Sequence, residues 1–108
     1  MKSSIKIAVV IVNWNSGEYL VECLLSLKGQ TLLPDRVLIV DNASTDGSME
    51  GLEQRFPDLE FIHLKKNTGF AAANNLAVHQ AADCDWVAFL NPDAFARPDW
   101  LENLMQAV

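Results

Sequence analysis

The feature that most constrains this chain is an unbroken apolar run, IAVVIV, at residues 7–12. All of its residues except Ala8 are β-branched. Such a run is typical of a strand covered on both faces, because a strand with one wet face alternates apolar and polar side chains. Strands of this kind occur in parallel sheets enclosed by helices. The run therefore predicts a layered α/β fold.

Three further segments have strand character, at residues 37–40, 59–64 and 86–90. Helical signals cover four stretches: from Gly17 to Gly29, from about Ser48 to Pro57, from Gly69 to about Ala82, and from Pro98 onward. The alternating order predicts an α/β fold with an open, doubly wound, mainly parallel sheet and right-handed crossovers. The last helix has no stop signal, so we expect a truncated domain.

Composition narrows the classes of partner. The chain has 108 residues, 14 acidic against 8 basic, and a net charge of -6, which argues against nucleic acid polymers and anionic membranes. Its apolar run is shorter than a signal-peptide core of roughly 7–15 residues, so no membrane insertion is expected. Cys23 and Cys84 lie far apart without a CxxC pair, which favours reduced, buried thiols. We expect a cytoplasmic protein, membrane-associated in a full-length form.

Polar residues follow every predicted strand: residues 13–17, 41–47, 65–70 and 91–94. In open parallel sheets, ligands bind beyond the carboxyl ends of the strands, so these four loops predict one site. The chain lacks GxGxxG after its first strand and lacks a P-loop, which excludes the two common phosphate-binding motifs. A phosphoacceptor receiver domain needs acids where this chain has Asn13 and Asn15. A different kind of ligand site is therefore indicated.

Four segments at the ends of the predicted strands carry the most specific sequence signal: VIVNWN at 10–15, VDNASTDG at 40–47, NTGFAAANN at 67–75 and LNPDA at 90–94. In this order and at these strand ends, they resemble the nucleotide-binding half of a family 2 glycosyltransferase with the GT-A, Rossmann-like fold. The likeness is greatest to the rhamnosyltransferase-like branch. It covers nearly the whole chain. It implies that residues 1–108 are the nucleotide-sugar-binding part of the domain, with the C-terminal acceptor part absent.

The resemblance assigns roles in nucleotide binding. Asp41 matches the acid that helps to hold the nucleobase and ribose, and Asn42 replaces a second acid usually found beside it. Val12 and Trp14 match positions that contact the base, by backbone and by ring. Asn13, which follows Val12 directly, is assigned to the same nucleotide-sugar site.

The resemblance also implies a divalent cation, Mg²⁺ or Mn²⁺. Asp93 matches the last acid of the DxD motif, which ligates that cation, while Asn91 stands in place of the first acid and is assigned to the nucleotide sugar. One carboxylate together with substrate phosphate oxygens suits magnesium, which keeps several waters. Gly69 and Asn74 lie near a predicted helix N-terminus, where backbone N–H groups and amides can approach phosphates or sugar hydroxyls.

Structural roles remain open for several of these residues. Asp41 and Asp93 are also suited to turns, and Trp14 is also suited to a core. For Asp46 a capping role is favoured, and for Phe70 we expect a place in the core.

The resemblance implies inverting transfer of a sugar from a dTDP- or UDP-linked donor to a hydroxyl of a saccharide or lipid-linked acceptor. Rhamnosyl transfer in cell-surface polysaccharide synthesis is the finer expectation. The catalytic base is unknown and expected beyond Val108, so this segment alone should be inactive. A non-catalytic nucleotide-sugar-binding or interaction domain is the alternative, favoured by Asn42 and Asn91. A pyrophosphorylase-like nucleotidyltransferase is disfavoured because residues 13–17 contain no basic side chain.

Overall fold

A computed structural model describes residues 5–108 and contains a four-stranded sheet in which all pairings are parallel. Spatially the order is β3-β2-β1-β4. Along the chain the elements are β1 (Ile7–Asn13), α1 (Tyr19–Lys28), β2 (Arg36–Asp41), α2 (Leu52–Arg55), β3 (Glu60–His63), α3 (Phe70–Gln80), β4 (Trp86–Phe89) and α4 (Trp100–Gln106). The predicted doubly wound α/β class is confirmed.

Strand β1 lies inside the sheet, and all seven of its residues are buried. It pairs with β2 as far as Asn13 opposite Asp41, and with β4 as far as Val10 opposite Phe89. Successive β1 side chains enter two separate cores because they point to opposite faces of the sheet. One core includes Val9 and Ile11 with residues of α1, α2 and α4; the other includes Ala8, Val10 and Val12 with the alanines of α3.

Helix α2 begins four residues after its sequence signal at Ser48, and α4 begins two residues after Pro98. Gly51 precedes α2 with φ of 75°, a left-handed conformation that interrupts any helix running on from Ser48. Pro98 lies in the turn before α4, where its carbonyl oxygen accepts a hydrogen bond from the Thr31 N–H at 2.8 Å. The other two helices agree with prediction within about two residues, the scatter normal for helix ends.

The strand order reverses its direction at β1, because β2 and β3 lie on one side of β1 and β4 lies on the other. Such a reversal opens a crevice between the loops that follow β1 and β4, at the carboxyl ends of the strands. No helix among residues 5–108 is long and apolar enough to span a bilayer.

The opposite, amino ends of the strands carry an ion cluster centred on Arg36. Its Nε and Nη2 donate to the two carboxylate oxygens of Glu60 at 2.7 and 2.6 Å, and its Nη1 donates to Asp83 and to the Gln80 carbonyl oxygen. These bonds lower the pKa values of Glu60 and Asp83, and they join β2, β3 and the end of α3.

Candidate functional site

Asn13 forms a hydrogen-bonded hub at the end of β1 and is completely buried. Its Nδ2 lies 3.0 Å from Asp41 Oδ1, 3.1 Å from Ser44 Oγ and 3.0 Å from Ser48 Oγ, while its Oδ1 accepts the Ser16 hydroxyl. Nδ2 carries two hydrogens for three acceptors, so one hydrogen is shared. Asn13 thereby joins the loop after β1 to the loop after β2, and its side chain is fully occupied by the protein itself.

Asp41 ends β2 and is 6% exposed. Besides Asn13, its carboxylate accepts the Ser44 hydroxyl at 2.6 Å and the Ser44 N–H at 3.1 Å. These bonds close a turn in which Ala43 has φ of 62°. The turn role that the sequence left open for Asp41 is present, and its contact with nucleobase and ribose stays a prediction.

Asn42 holds the loop that precedes α3. Its Oδ1 accepts the Thr68 N–H at 2.8 Å, and its Nδ2 donates to the Gly69 carbonyl oxygen at 3.1 Å. An aspartate could accept the first bond but could not donate the second. The two hydrogen bonds therefore explain why an amide, and not an acid, occupies this position.

Asp46 connects the loops after β1 and β2. Its Oδ1 accepts the Ser48 N–H at 2.9 Å, and its Oδ2 accepts the Gly17 N–H at 2.9 Å. Hydrogen bonds from Ser48 and then Gly17 lower the pKa of this carboxyl. Asp46 therefore caps the turn at residues 46–48, but it does not cap α2, whose N-cap residue is Gly51.

Above the ends of β1 and β2 lies an aromatic cavity of about 320 Å³. Its exposed rings are Trp14 and Phe70, which are 55% and 62% accessible. The remaining lining residues are Val12, Asn42, Asn67 and Pro92. Of the residues predicted to bind the nucleotide, the structure thus brings together Val12, Trp14 and Asn42, whereas Asn13 and Asp41 line neither cavity.

The expected core position of Phe70 is wrong. Phe70 lies one turn before Ala73 on the same face of α3, and Ala73 is buried against the sheet. At the level of Phe70 the strands have ended, so its ring lines the cavity instead. Trp14, for which a core position was open, is likewise a cavity residue.

Beside the aromatic cavity lies an acidic cavity of about 690 Å³. The two share Trp14 and Pro92 as a common wall. Four carboxylates line the acidic cavity, and no basic side chain of residues 5–108 does: Glu18, Glu22, Asp46 and Asp93. An anionic ligand would be repelled here unless a cation accompanied it.

Asn91 and Asp93 lie together in a turn at the rim of the acidic cavity, closed by the Ala94 N–H donating to the Asn91 carbonyl oxygen at 3.0 Å. Both residues are exposed. Within residues 5–108, no hydrogen bond or ion pair engages the Asp93 carboxylate. The predicted metal ligand is therefore free to bind, whereas Asp41 is largely occupied.

This donor set fits a hard cation only with help from a ligand. Carboxylate and amide oxygens suit Mg²⁺ and Mn²⁺, but within the described part of the chain no three His, Cys, Asp or Glu residues form a metal-binding group. Phosphate oxygens of a bound substrate would supply the remaining ligands. The metal-binding role of Asp93 stays a prediction.

Other predicted residues lie at greater distance from the two cavities. Asn74 is half-buried in the second turn of α3 and lines neither cavity. Gly69 takes part through its backbone, with φ of 88° and ψ of 162°. Sequence reasoning missed Ser44 and Ser48 as partners of Asn13, and Tyr19 as a cavity residue. Their positions in polar loops after strands were the available signal.

The family model described as glycosyl transferase family 2 matches residues 8–108. The chain belongs to glycosyl transferase family 2. Among curated relatives, it is 32% identical over 92% of its length to the N-acetylglucosaminyl-diphospho-decaprenol L-rhamnosyltransferase of Mycobacterium tuberculosis, covering 36% of that protein. The chain thus spans about a third of the length of such relatives.

Solved structures of the family support the fold. A Pyrobaculum calidifontis mannosyltransferase, PcManGT, in complex with GDP-Man and Mn²⁺ matches with a TM-score of 0.85 at 27% identity, over 94% of this chain and 31% of that one. S. aureus TarS 1–349 in complex with UDP-GlcNAc matches with a TM-score of 0.81 at 27% identity, over 94% of this chain and 30% of that one. The predicted family and GT-A fold are confirmed.

Proposed function

We propose that this chain binds the donor of a metal-assisted glycosyltransferase, which moves a sugar from a nucleoside diphosphate to an acceptor hydroxyl. The observation that carries the proposal is the pair of adjoining cavities at the strand reversal. The aromatic cavity suits a nucleobase, and the acidic cavity, with its free Asp93 carboxylate, suits a diphosphate accompanied by a cation. Solved relatives were obtained with UDP-GlcNAc and with GDP-Man and Mn²⁺, which supports this class of ligand.

Within this function, Trp14 and Phe70 stack against the base, because an aromatic face binds any nucleobase by its π surface. Asp93 would hold the cation, with Asn91 beside it. When bound, the cation neutralises charge on the departing diphosphate. The buried hub of Asn13 and Asp41 keeps the loops at their positions before the ligand arrives, which reduces the ordering cost of binding.

The finer steps of the proposal concern stereochemistry and donor. An acceptor oxygen bonds to the anomeric carbon as the bond to the diphosphate breaks, and the hydroxyl proton passes to a carboxylate base that we do not assign. This displacement inverts the anomeric centre. The name of the Mycobacterium tuberculosis relative supports rhamnosyl transfer to a lipid-linked acceptor. We extend the proposal to dTDP-rhamnose as the donor and to saccharide acceptors.

Isothermal titration of the full-length protein with UDP, dTDP and GDP, with and without Mn²⁺, tests the proposal. We expect one nucleotide to bind, more tightly with Mn²⁺, and Asp93→Ala to remove the metal enhancement. Asp58→Ala is a matched control, since Asp58 is an exposed acid at the amino end of β3. Absence of nucleotide binding, or a metal enhancement that survives Asp93→Ala, contradicts the proposal.

A second candidate, a nucleotide-sugar-binding domain without turnover, is favoured by Asn42 and Asn91, which occupy positions where the family resemblance expects acids. A coupled assay for nucleoside diphosphate released from sugar nucleotides separates the two. Release dependent on acceptor supports the transferase, and tight binding without release supports the binding domain.

A further inference from the structure

Helix α1 has a polar stripe on the side that meets the loop after β4. Cys23 and Ser26 lie one turn apart on the same face of α1, and Gln30 follows just after the helix, where its Nε2 donates to the Ser26 carbonyl oxygen. Each makes a hydrogen bond to the main chain of residues 91–101. Beside the apolar residues that α1 contributes to the core, these three side chains are fitted to one specific backbone path.

Two of these contacts flank Asp93. The Cys23 thiol donates to the Asn91 carbonyl oxygen at 3.5 Å, which is the same oxygen that closes the turn containing Asp93. On the other side, Ser26 Oγ accepts the Ala96 N–H at 3.1 Å while donating to the Cys23 carbonyl oxygen at 2.6 Å. The short segment that carries Asp93 is therefore held by α1 before and after that residue.

Gln30 fixes the next part of the path and is 6% exposed. Its Nε2 donates to the Arg97 carbonyl oxygen at 2.7 Å and to the Ser26 carbonyl oxygen at 3.2 Å, and its Oε1 accepts the Leu101 N–H at 3.0 Å. The N-cap residue of α4, Asp99, makes no side-chain cap, so Gln30 satisfies a first-turn N–H of α4 from outside the helix. A glutamate at this position could accept but not donate.

The Asp93 carboxylate has no bonding partner of its own among residues 5–108, so the path of its backbone sets its place in the acidic cavity. We propose that Cys23, Ser26 and Gln30 are positioning residues for Asp93 and hold it where a cation on the donor diphosphate binds. This inference rests on the proposed function, because it takes Asp93 as the cation ligand. The α1 stripe, formed by Cys23, Ser26 and Gln30, therefore contributes to the affinity for the metal ion.

The test compares Ser26→Ala and Gln30→Leu with Ser26→Thr, which keeps the hydroxyl, and with Gln54→Leu, the same change at an exposed glutamine of α2. Each full-length variant is titrated with Mn²⁺ in the presence of the nucleotide that binds the wild type, and separately with that nucleotide without metal. Thermal midpoints report folding.

We expect Ser26→Ala and Gln30→Leu to weaken Mn²⁺ affinity about tenfold, as a loss of about 1.4 kcal/mol would. Metal-free nucleotide binding should stay within about twofold, because the aromatic cavity shares only Pro92 with the segment that the stripe holds. Ser26→Thr and Gln54→Leu should resemble the wild type. If Gln30→Leu does not fold, Ser26→Ala alone decides the matter.

Wild-type Mn²⁺ affinity in folded Ser26→Ala overturns the inference, even where its thermal midpoint is lowered, since a purely structural bond would act on stability alone. Asp93→Ala separates this failure from failure of the proposed function. If Asp93→Ala removes the metal enhancement but the stripe variants keep it, only the positioning role is wrong. If Asp93→Ala keeps it as well, the proposed metal site is wrong.

Discussion

The side-chain amide of Asn13 donates to Asp41 Oδ1 across 3.0 Å, where the ends of β1 and β2 are paired in register. Both residues are buried. A neutral donor beside a buried carboxylate satisfies it without adding a second charge, whereas an ion pair here would carry a large desolvation cost. The pair therefore anchors the two loops that line the cavities.

Asn13→Asp should destabilise the protein by about 3 kcal/mol, because it places two buried carboxylates in contact. Urea unfolding at pH 7 measures the loss. Asn67→Asp, at an exposed position, serves as the control. An Asn13→Asp variant as stable as that control would contradict the interpretation.

Asn42→Asp should lower stability by about 1–3 kcal/mol, since the Gly69 carbonyl oxygen would lose its donor and face a carboxylate oxygen. Differential scanning calorimetry measures the loss. Asn75→Asp, on the exposed side of α3, should be nearly neutral. An Asn42→Asp variant as stable as the wild type would contradict the structural explanation for the amide at this position.

Gly69→Ala should lower the free energy of unfolding by about 1–3 kcal/mol, because an alanine is strained in the backbone conformation of this residue. A Cβ at Gly69 would meet no atom within 4 Å, but φ of 88° with ψ of 162° is a conformation that only glycine adopts readily. Gly29 is the matched control, because its φ is -92° and its new Cβ would make only ordinary contact with the Ser26 carbonyl oxygen at 3.9 Å. Equal midpoints for the two alanine variants would refute the backbone argument.

Glu60→Gln should destabilise the protein at neutral pH, and the deficit should vanish in acid. Arg36 lowers the pKa of Glu60 below its ordinary 4.5 in the folded protein. The stabilisation is therefore complete above 4.5 and is lost as the pH falls through the lowered folded value. Chemical unfolding from pH 7 to pH 3 tracks the difference from wild type. Glu50→Gln, an exposed acid, should show no such trend.

Cys23 should resist thiol reagents in the native protein. Burial, and then the charge of Asp93, raises its pKa to about 12, so at pH 8 only about one thiol in ten thousand is ionised. In a Cys84→Ser variant, DTNB should react only after unfolding. In Cys23→Ala, the half-buried Cys84 should react without unfolding. Rapid native labelling of Cys23 would mean that the α1 stripe opens readily.

The strands were predictable because their signal is local. The run from Ile7 to Val12 is apolar at every position, which predicts burial on both faces of the strand. The two cores of the structure confirm this prediction. Strand order was not predictable, since no residue of β4 indicates which edge of the sheet it joins. The start of α2 was predicted too early because the sequence does not show whether a glycine such as Gly51 adopts a left-handed or a helical backbone conformation.

The site was predictable in part. Strand-end position brought Val12, Trp14 and Asn42 to one cavity as expected. The exposed ring of Phe70 was missed because aromatic side chains are ordinarily buried. Phe70 is exposed because it lies beyond the ends of the strands, and the sequence does not show where that level falls on α3. The complete burial of Asn13 depends on partners 28 to 35 residues away, which a local pattern does not reveal.

The Arg36 cluster and the two cavities occupy opposite rims of one sheet, separated by the length of β2, about 20 Å for six residues. Changes that far apart, with no shared partners, combine nearly additively. Substitutions around Trp14 can therefore change the choice of ligand without altering the ion cluster, and a stabilising change at the Arg36 rim would offset a loss of stability at the cavities.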